Sequence, residues 1–518
     1  MAVIRGNDGP NELIGTGAAD EIYGFGGEDL LDGREGADWM NGGTGNDRYF
    51  VDNEADEVVE TSFTGGNDLV TSRVSFSLAG TYVERLTLSG YGEISGTGNK
   101  LANIITGNDQ KNALFGGDGN DVLDGSGGAD TMHGGAGDDL FYVDRTDDRA
   151  FEALDQGIDT VISSASYSIV GQNIEKLTLT GNAGWGEGNS LDNVIVGADA
   201  VIYLWGREGN DRIIGAAGND RIDGGMGVDA MSGGDGDDII IVDDSADRVG
   251  GGAGWDVVES SVSYALSYDN GVEVLRLTGE AAIDGTGNED DNEITGNAAA
   301  NVLKGLGGND TLDGGGGADR LEGGGGNDVY FVDHEGDVVV ETGPAYGTDL
   351  VRSSVSFVLS PFVETLILTG SAPSDGTGSA QANTIYGNAA ANEIDGAGGD
   401  DRLFGGFGND TLTGGSGADR FYIRTFGAEN ADAITDFDHG AGDRIWLDSN
   451  AFTGLEPGPV PENAFRTGTT AQDADDRILF DTATGDLYYD PDGVGGGSAT
   501  LFANVGDAIV TSESFFVF

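Results

Sequence analysis

Large apolar residues recur at every ninth position through five stretches of the chain. The first stretch carries Leu13, Ile22, Leu31, Met40 and Tyr49, and the second Ile105, Leu114, Leu123, Met132 and Phe141. The third carries Ile195, Leu204, Ile213, Ile222, Met231 and Ile240. The fourth has Ile294, Leu303, Leu312, Leu321 and Tyr330, and the fifth Ile385, Ile394, Leu403, Leu412 and Phe421. A period of nine is neither the 3.6 of a helix nor the 2 of an isolated strand. It predicts one short strand and one tight turn per repeat, because each apolar residue follows a run of glycine and acid. Residues 24–32 read GFGGEDLLD, 33–41 GREGADWMN and 42–50 GGTGNDRYF, which gives the template G-G-x-G-x-D-x-U-x with U apolar. The repeats fill blocks 1–50, 98–142, 188–241, 287–331 and 378–422. The spacers 51–97, 143–187, 242–286 and 332–377 alternate instead, as in Val74, Phe76, Leu78 and Val355, Phe357, Leu359, and close on LTLSG, LTLTG, LRLTG or LILTG. That alternation predicts half-buried strands. No window has a helical period, so the chain reads as all-β.

Two nonapeptides make an eighteen-residue coil with two strands. Stacked coils place their strands in parallel about 4.8 Å apart, with the U side chains inward as a ladder. Position six of the repeat is then an acidic ladder along each edge, with residues i and i+18 on one edge and i+9 on the other. Its aspartates are Asp20, Asp29, Asp38 and Asp47; Asp121, Asp130 and Asp139; Asp211, Asp220, Asp229 and Asp238; Asp310, Asp319 and Asp328; and Asp401, Asp410 and Asp419. Several blocks begin instead with Asn at this position (Asn11, Asn103, Asn292, Asn383), read as weak or empty sites. The spacer acids Asp52, Asp56, Asp68 and their counterparts read as turn and surface residues first, and as ligands second.

Charge sharpens this picture. The 518 residues carry 91 acidic and 24 basic side chains, for a net charge of −67, with 94 Gly, 8 Pro and no Cys. The absence of cysteine excludes disulfides and thiolate metal sites, and such an acidic surface repels nucleic acid. No apolar run approaches the roughly 20 residues that span a bilayer. Residues 1–8 hold no apolar h-region, so no cleaved signal peptide is expected. Two carboxylates about 5 Å apart repel by roughly 3 kcal/mol at an effective dielectric near 20. A hard divalent cation between coils reverses that sign. Ca²⁺ takes 6–8 oxygens from carboxylates and backbone carbonyls, whereas Mg²⁺ demands tight octahedral geometry and Zn²⁺ prefers nitrogen or sulfur. Folding is therefore expected to be linked to multiple calcium ions.

The nonapeptides resemble the calcium-binding repeats of the repeats-in-toxin (RTX, hemolysin-type) family. The resemblance implies a right-handed parallel β-roll, or β-solenoid, with a C-terminal β cap. It implies ligation by the aspartates above and by turn glycines: Gly24, Gly26, Gly33 and Gly42; Gly116, Gly125 and Gly134; Gly215, Gly224 and Gly233; Gly305, Gly307, Gly314, Gly316 and Gly323; and Gly396, Gly398, Gly405 and Gly414. It also implies export by type I secretion machinery, unfolded in calcium-poor cytosol and folding outside. Residues 423–518, with Asp432-Ala-Ile-Thr-Asp-Phe-Asp438 and Gly485-Asp-Leu-Tyr-Tyr-Asp490, are similar to the cap of serralysin-type members. The aromatic end, Ser514-Phe-Phe-Val-Phe518, resembles a type I secretion signal and also reads as a buried last strand.

No catalytic constellation stands out. The 3 histidines, His133, His334 and His439, lie outside any H-E-x-x-H, and no G-x-S-x-G elbow occurs. The expectation is a secreted, extracellular, non-enzymatic calcium-binding protein with a structural, surface-layer, matrix or adhesive role, self-assembling or held at the cell surface. The alternative is a carbohydrate-binding accessory module like those of alginate epimerases, recognising a cell-surface glycan through Trp39, Trp185, Trp205 or Trp255.

Overall fold

The computed structural model describes every residue except 63, 64, 155, 269, 342 and 344–346. It divides into two compact units, Met1–Glu259 with Asn270–Val272, and Ser260–Asp269 with Glu273–Phe518. Both are parallel β-solenoids. Among the described residues the only helices are two short 3₁₀ turns, Glu462–Ala464 and Ser512–Ser514.

In the first unit one face is an unbroken run of parallel strands in register. Its inward residues are Leu13, Leu31, Tyr49, Val70, Leu86, Ile105, Leu123, Phe141, Val161, Leu177, Ile195, Ile213, Met231 and Val249. The other face is made of shorter runs: Ile4, Ile22, Met40, Val58; then Gly96, Leu114, Met132, Ala150; then Tyr167, Gly186, Leu204, Ile222, Ile240. Val70, Leu86, Val161 and Leu177 belong to spacers. The spacers are thus further coils of the same ladder, with longer turns. Gly96 and Gly186 sit where the ladder narrows. A Cβ on Gly96 would meet Leu86, Ile105 and Leu114.

The second unit repeats this scheme. Leu275, Ile294, Leu312, Tyr330, Val351, Leu366, Ile385, Leu403, Phe421, Ile445 and Phe515 form one ladder. Tyr264, Gly285, Leu303, Leu321 and Val339 face it, followed by Gly376, Ile394, Leu412 and Ile434. Every U residue in both units is buried, and each such burial contributes about 1.5–3 kcal/mol.

The ladder ends in an antiparallel cap. Ile478–Asp481, Asp486–Tyr489 and Thr500–Asn504 pair antiparallel, and the last of these pairs parallel with Asp432–Ile434. Phe452, Tyr489 and Phe502 fill its core. The aromatic tail forms a real strand: Phe515–Val517 pairs with Arg444–Leu447 and Gly458–Pro459, with Phe515 and Val517 buried.

Candidate metal centre

Position six of each repeat points its carboxylate into the turn, where little water reaches it. Asp29, Asp38, Asp47, Asp121, Asp130, Asp139, Asp211, Asp220, Asp229, Asp238, Asp310, Asp319, Asp328, Asp401, Asp410 and Asp419 are all at most 2% exposed. The Oδ1 atom of each accepts the backbone N–H of the position-six residue one coil earlier. Asp29 N–H reaches Asp47 over 2.8 Å, Asp211 N–H reaches Asp229 over 2.7 Å, and Asp310 N–H reaches Asp328 over 2.7 Å, each a step of about one coil. The Oδ2 atom of each of these sixteen residues is buried and has no hydrogen-bond partner. Leaving a charged oxygen unsatisfied in this way is strongly unfavourable.

The surroundings of that oxygen are specific. It lies beside the position-one glycine five residues earlier, at the point a Cβ would occupy. Asp29 fills this point at Gly24, Asp121 at Gly116, Asp220 at Gly215, Asp310 at Gly305 and Asp401 at Gly396. At those same glycines the carbonyl of the position-one glycine one coil later closes in: Gly42, Gly134, Gly233, Gly323 and Gly414. The same carboxylate contact holds at Gly33, Gly42, Gly125, Gly134, Gly224, Gly233, Gly314, Gly323, Gly405 and Gly414. Gly206, missed from sequence, makes it with Asp211. The position-three glycines do not: a Cβ on Gly26, Gly307, Gly316 or Gly398 would meet Thr44, Glu289, Ala298 or Ser416 instead.

Turn conformation decides which aspartates are left free. In all sixteen cases the position-two residue has positive φ, from Ser126 at 57° to Gly234 at 120°. In these turns the Oδ2 atom receives no N–H. Asp20 departs from the expectation for this reason. Thr16 does not have positive φ, and both its N–H and its hydroxyl bond Asp20 Oδ2, at 2.6 and 2.7 Å. Asp20 therefore has no free oxygen to offer. The Asn repeats close in the same way. Asn99 N–H donates to Asn103 Oδ1 over 2.7 Å, and Asn103 Nδ2 donates to the Val83 carbonyl over 3.1 Å. Asn112, Asn193, Asn301, Asn383 and Asn392 are tied alike. The recurring Gly-Asn-x-x-x-Asn of these turns, with Ser379 in place of the first Asn before Asn383, is the signal that sequence reading passed over.

Burial raises the free carboxylates. It pushes Asp121, Asp130, Asp211, Asp220, Asp310 and Asp401 up to about 7, and Asp38, Asp47, Asp139, Asp229, Asp319, Asp328 and Asp410 up to about 6, against the pull of the backbone N–H. Asp29, Asp238 and Asp419 shift the same way. Asp20 moves the opposite way, lowered by its hydrogen bonds from Ala2 and Thr16.

The spacer acids are less exposed than expected. Asp56, Asp148, Asp247 and Asp337 are buried and cap turns, as where Asp144 and Arg145 N–H donate to Asp148 Oδ2 at 3.2 Å. Asp144, Asp243 and Asp333 remain at the surface. Asp68, Asp159 and Asp349 are buried and accept the N–H of Asp47, Asp139 and Asp328, each at 2.8 Å.

An oxygen-only donor set of buried carboxylates and turn carbonyls fits a hard cation of flexible coordination, as Ca²⁺ is. The RTX calcium-binding nonapeptide repeat, described in four copies, matches residues 5–40, 24–58, 98–149, 203–231, 232–261, 286–321, 295–330, 377–403 and 395–422. Those stretches hold the cradles just described. No curated protein matches the chain.

Proposed function

Because the chain belongs to the RTX calcium-binding repeat proteins, we propose that it is a secreted structural or adhesive protein whose solenoids fold when calcium fills the turn cradles outside the cell. The observation that carries the reading is the row of sixteen buried, unpartnered Asp Oδ2 atoms. Without cations these oxygens oppose folding, and with calcium their binding energy becomes folding energy. Low-calcium cytosol then keeps the chain open for type I export, with the aromatic C-terminal tail as its signal. The buried position-six carboxylates are committed to turns and cations, and the role we assign is non-catalytic. Among the described residues no helix is long and apolar enough to cross a membrane.

A second reading rests on one surface cleft. Trp185 and Trp205, each 37% exposed, line a cleft of about 730 Å³ together with Glu187, Arg207, Asp223 and Asp243. Indole faces beside carboxylates and a guanidinium suit a sugar ring. Sedimentation of the calcium-loaded protein and a glycan array in the same buffer separate the two. Ordered self-assembly without glycan retention supports the structural role. Retention that disappears in Trp185→Ala with Trp205→Ala supports the glycan role, and neither behaviour would sink both.

A further inference from the structure

Among the described residues, three acidic triads stand where repeat blocks meet spacers. Asp47, Glu60 and Asp68 offer ligand atoms within 4.8 Å of one another, and so do Asp139, Glu152 and Asp159. Asp328, Glu341 and Asp349 form the third. In each, the repeat aspartate is at most 2% exposed and its Oδ2 has no partner.

The glutamates occupy a particular place in the coil. Glu60, Glu152 and Glu341 each follow Gly42, Gly134 and Gly323 by eighteen residues, where the repeat would put the next position-one glycine. Their carboxylates come to the same cradle. A Cβ on Gly134 would meet Glu152 Oε1 and Asp139 Oδ2 together. A Cβ on Gly42 would meet Asp47 Oδ2 and the Tyr49 hydroxyl, and that hydroxyl donates to Glu60 Oε1. Gly323 is flanked in the same way by Asp328 Oδ2 and the Tyr330 hydroxyl, which donates to Glu341. Phe141 replaces the tyrosine in the second triad, and Glu152 instead accepts the Gly135 N–H, at 3.1 and 3.2 Å to its two oxygens.

The third junction supplies a natural contrast. Gly251 stands where the other spacers have Glu, eighteen residues after Gly233. Its carbonyl lies against the Gly233 cradle beside Asp238 Oδ2, as in an ordinary repeat. The glutamate is thus a substitution of a side-chain carboxylate for a backbone carbonyl.

We propose that these triads are three junction calcium sites, each built from the last repeat aspartate and a spacer Glu and Asp, which fasten the first spacer coil to the preceding block. Three carboxylates give each site one more negative charge than an aspartate pair. A divalent cation offsets that charge and gives the unpartnered Oδ2 its ligand. The inference rests on calcium filling the repeat cradles, and extends it to positions outside the nonapeptide template.

The test is the number of calcium ions per full-length chain, counted by atomic emission after equilibration at fixed free Ca²⁺. Glu60→Gln, Glu152→Gln and Glu341→Gln together should lower the count by three and leave the calcium-induced β spectrum in place. Glu152→Gln alone should lower it by one, and serves if the triple variant does not fold. Introducing Gln in place of Glu without any change in count would overturn the junction sites while leaving the repeat sites standing. A wild-type chain that holds no calcium would overturn both.

Discussion

A single backbone torsion separates the two kinds of repeat turn. Where position two is left-handed, as at Arg34 and Ala216, the position-six carboxylate keeps a free oxygen; where it is not, as at Thr16, the N–H closes onto the side chain. Asp220→Asn should therefore weaken calcium binding at its turn by tenfold or more, whereas Asp20→Asn should leave binding unchanged, as read by isothermal titration. Gly215→Ala places a methyl group on Asp220 Oδ2 and the Gly233 carbonyl. It should reduce affinity by a similar factor while leaving the ladder intact, because Gly215 does not have positive φ. Protonation works on the same atoms. With folded-state values raised to about 6–7, the metal-free fold is most stable below the ordinary aspartate range near 4. It loses that stability as pH rises through 6–7, where the unfolded chain ionises more readily than the fold. Calcium affinity should run the other way, rising between about pH 5 and 8 with protons released on binding. A titration calorimeter run in buffers of different ionisation enthalpy reads both effects, and a flat pH profile would contradict them.

At the level of the coil, a nine-residue spacing of apolar residues was enough to place the strands, because each U residue stacks on a U residue eighteen positions away. The spacers were harder to read. Tyr49, Val70, Leu86 and Ile105 are consecutive rungs of one ladder, yet their separations are unequal, so no fixed period exposes them. The glutamates of the triads were illegible for the same reason, since their meaning depends on which glycine they face one coil back. The Asn turns were visible as departures from Asp, but their closed hydrogen bonding follows only from stacking. If spacers are true coils, truncating a spacer rung should cost as much as truncating a repeat rung. Leu177→Ala and Leu123→Ala should each destabilise the calcium-loaded protein by about 2–5 kcal/mol. Hydrogen exchange of the neighbouring strands checks this, and a spacer value near zero would argue against the continuous ladder.

Across the whole molecule, a net charge of −67 and the buried free carboxylates oppose a compact state, and on our proposal they do so until cations arrive. Once they do, coils stabilise their neighbours, as in other repeat architectures. The most direct test is far-UV circular dichroism of the full chain during a Ca²⁺ titration, repeated with Mg²⁺ and reversed with EDTA. The account predicts a coil-like spectrum without metal and cooperative β formation at roughly 10⁻⁴–10⁻³ M Ca²⁺, the range of extracellular modules. It also predicts little response to Mg²⁺ and loss of structure on chelation. A β spectrum that is complete at neutral pH without calcium and indifferent to EDTA would contradict it.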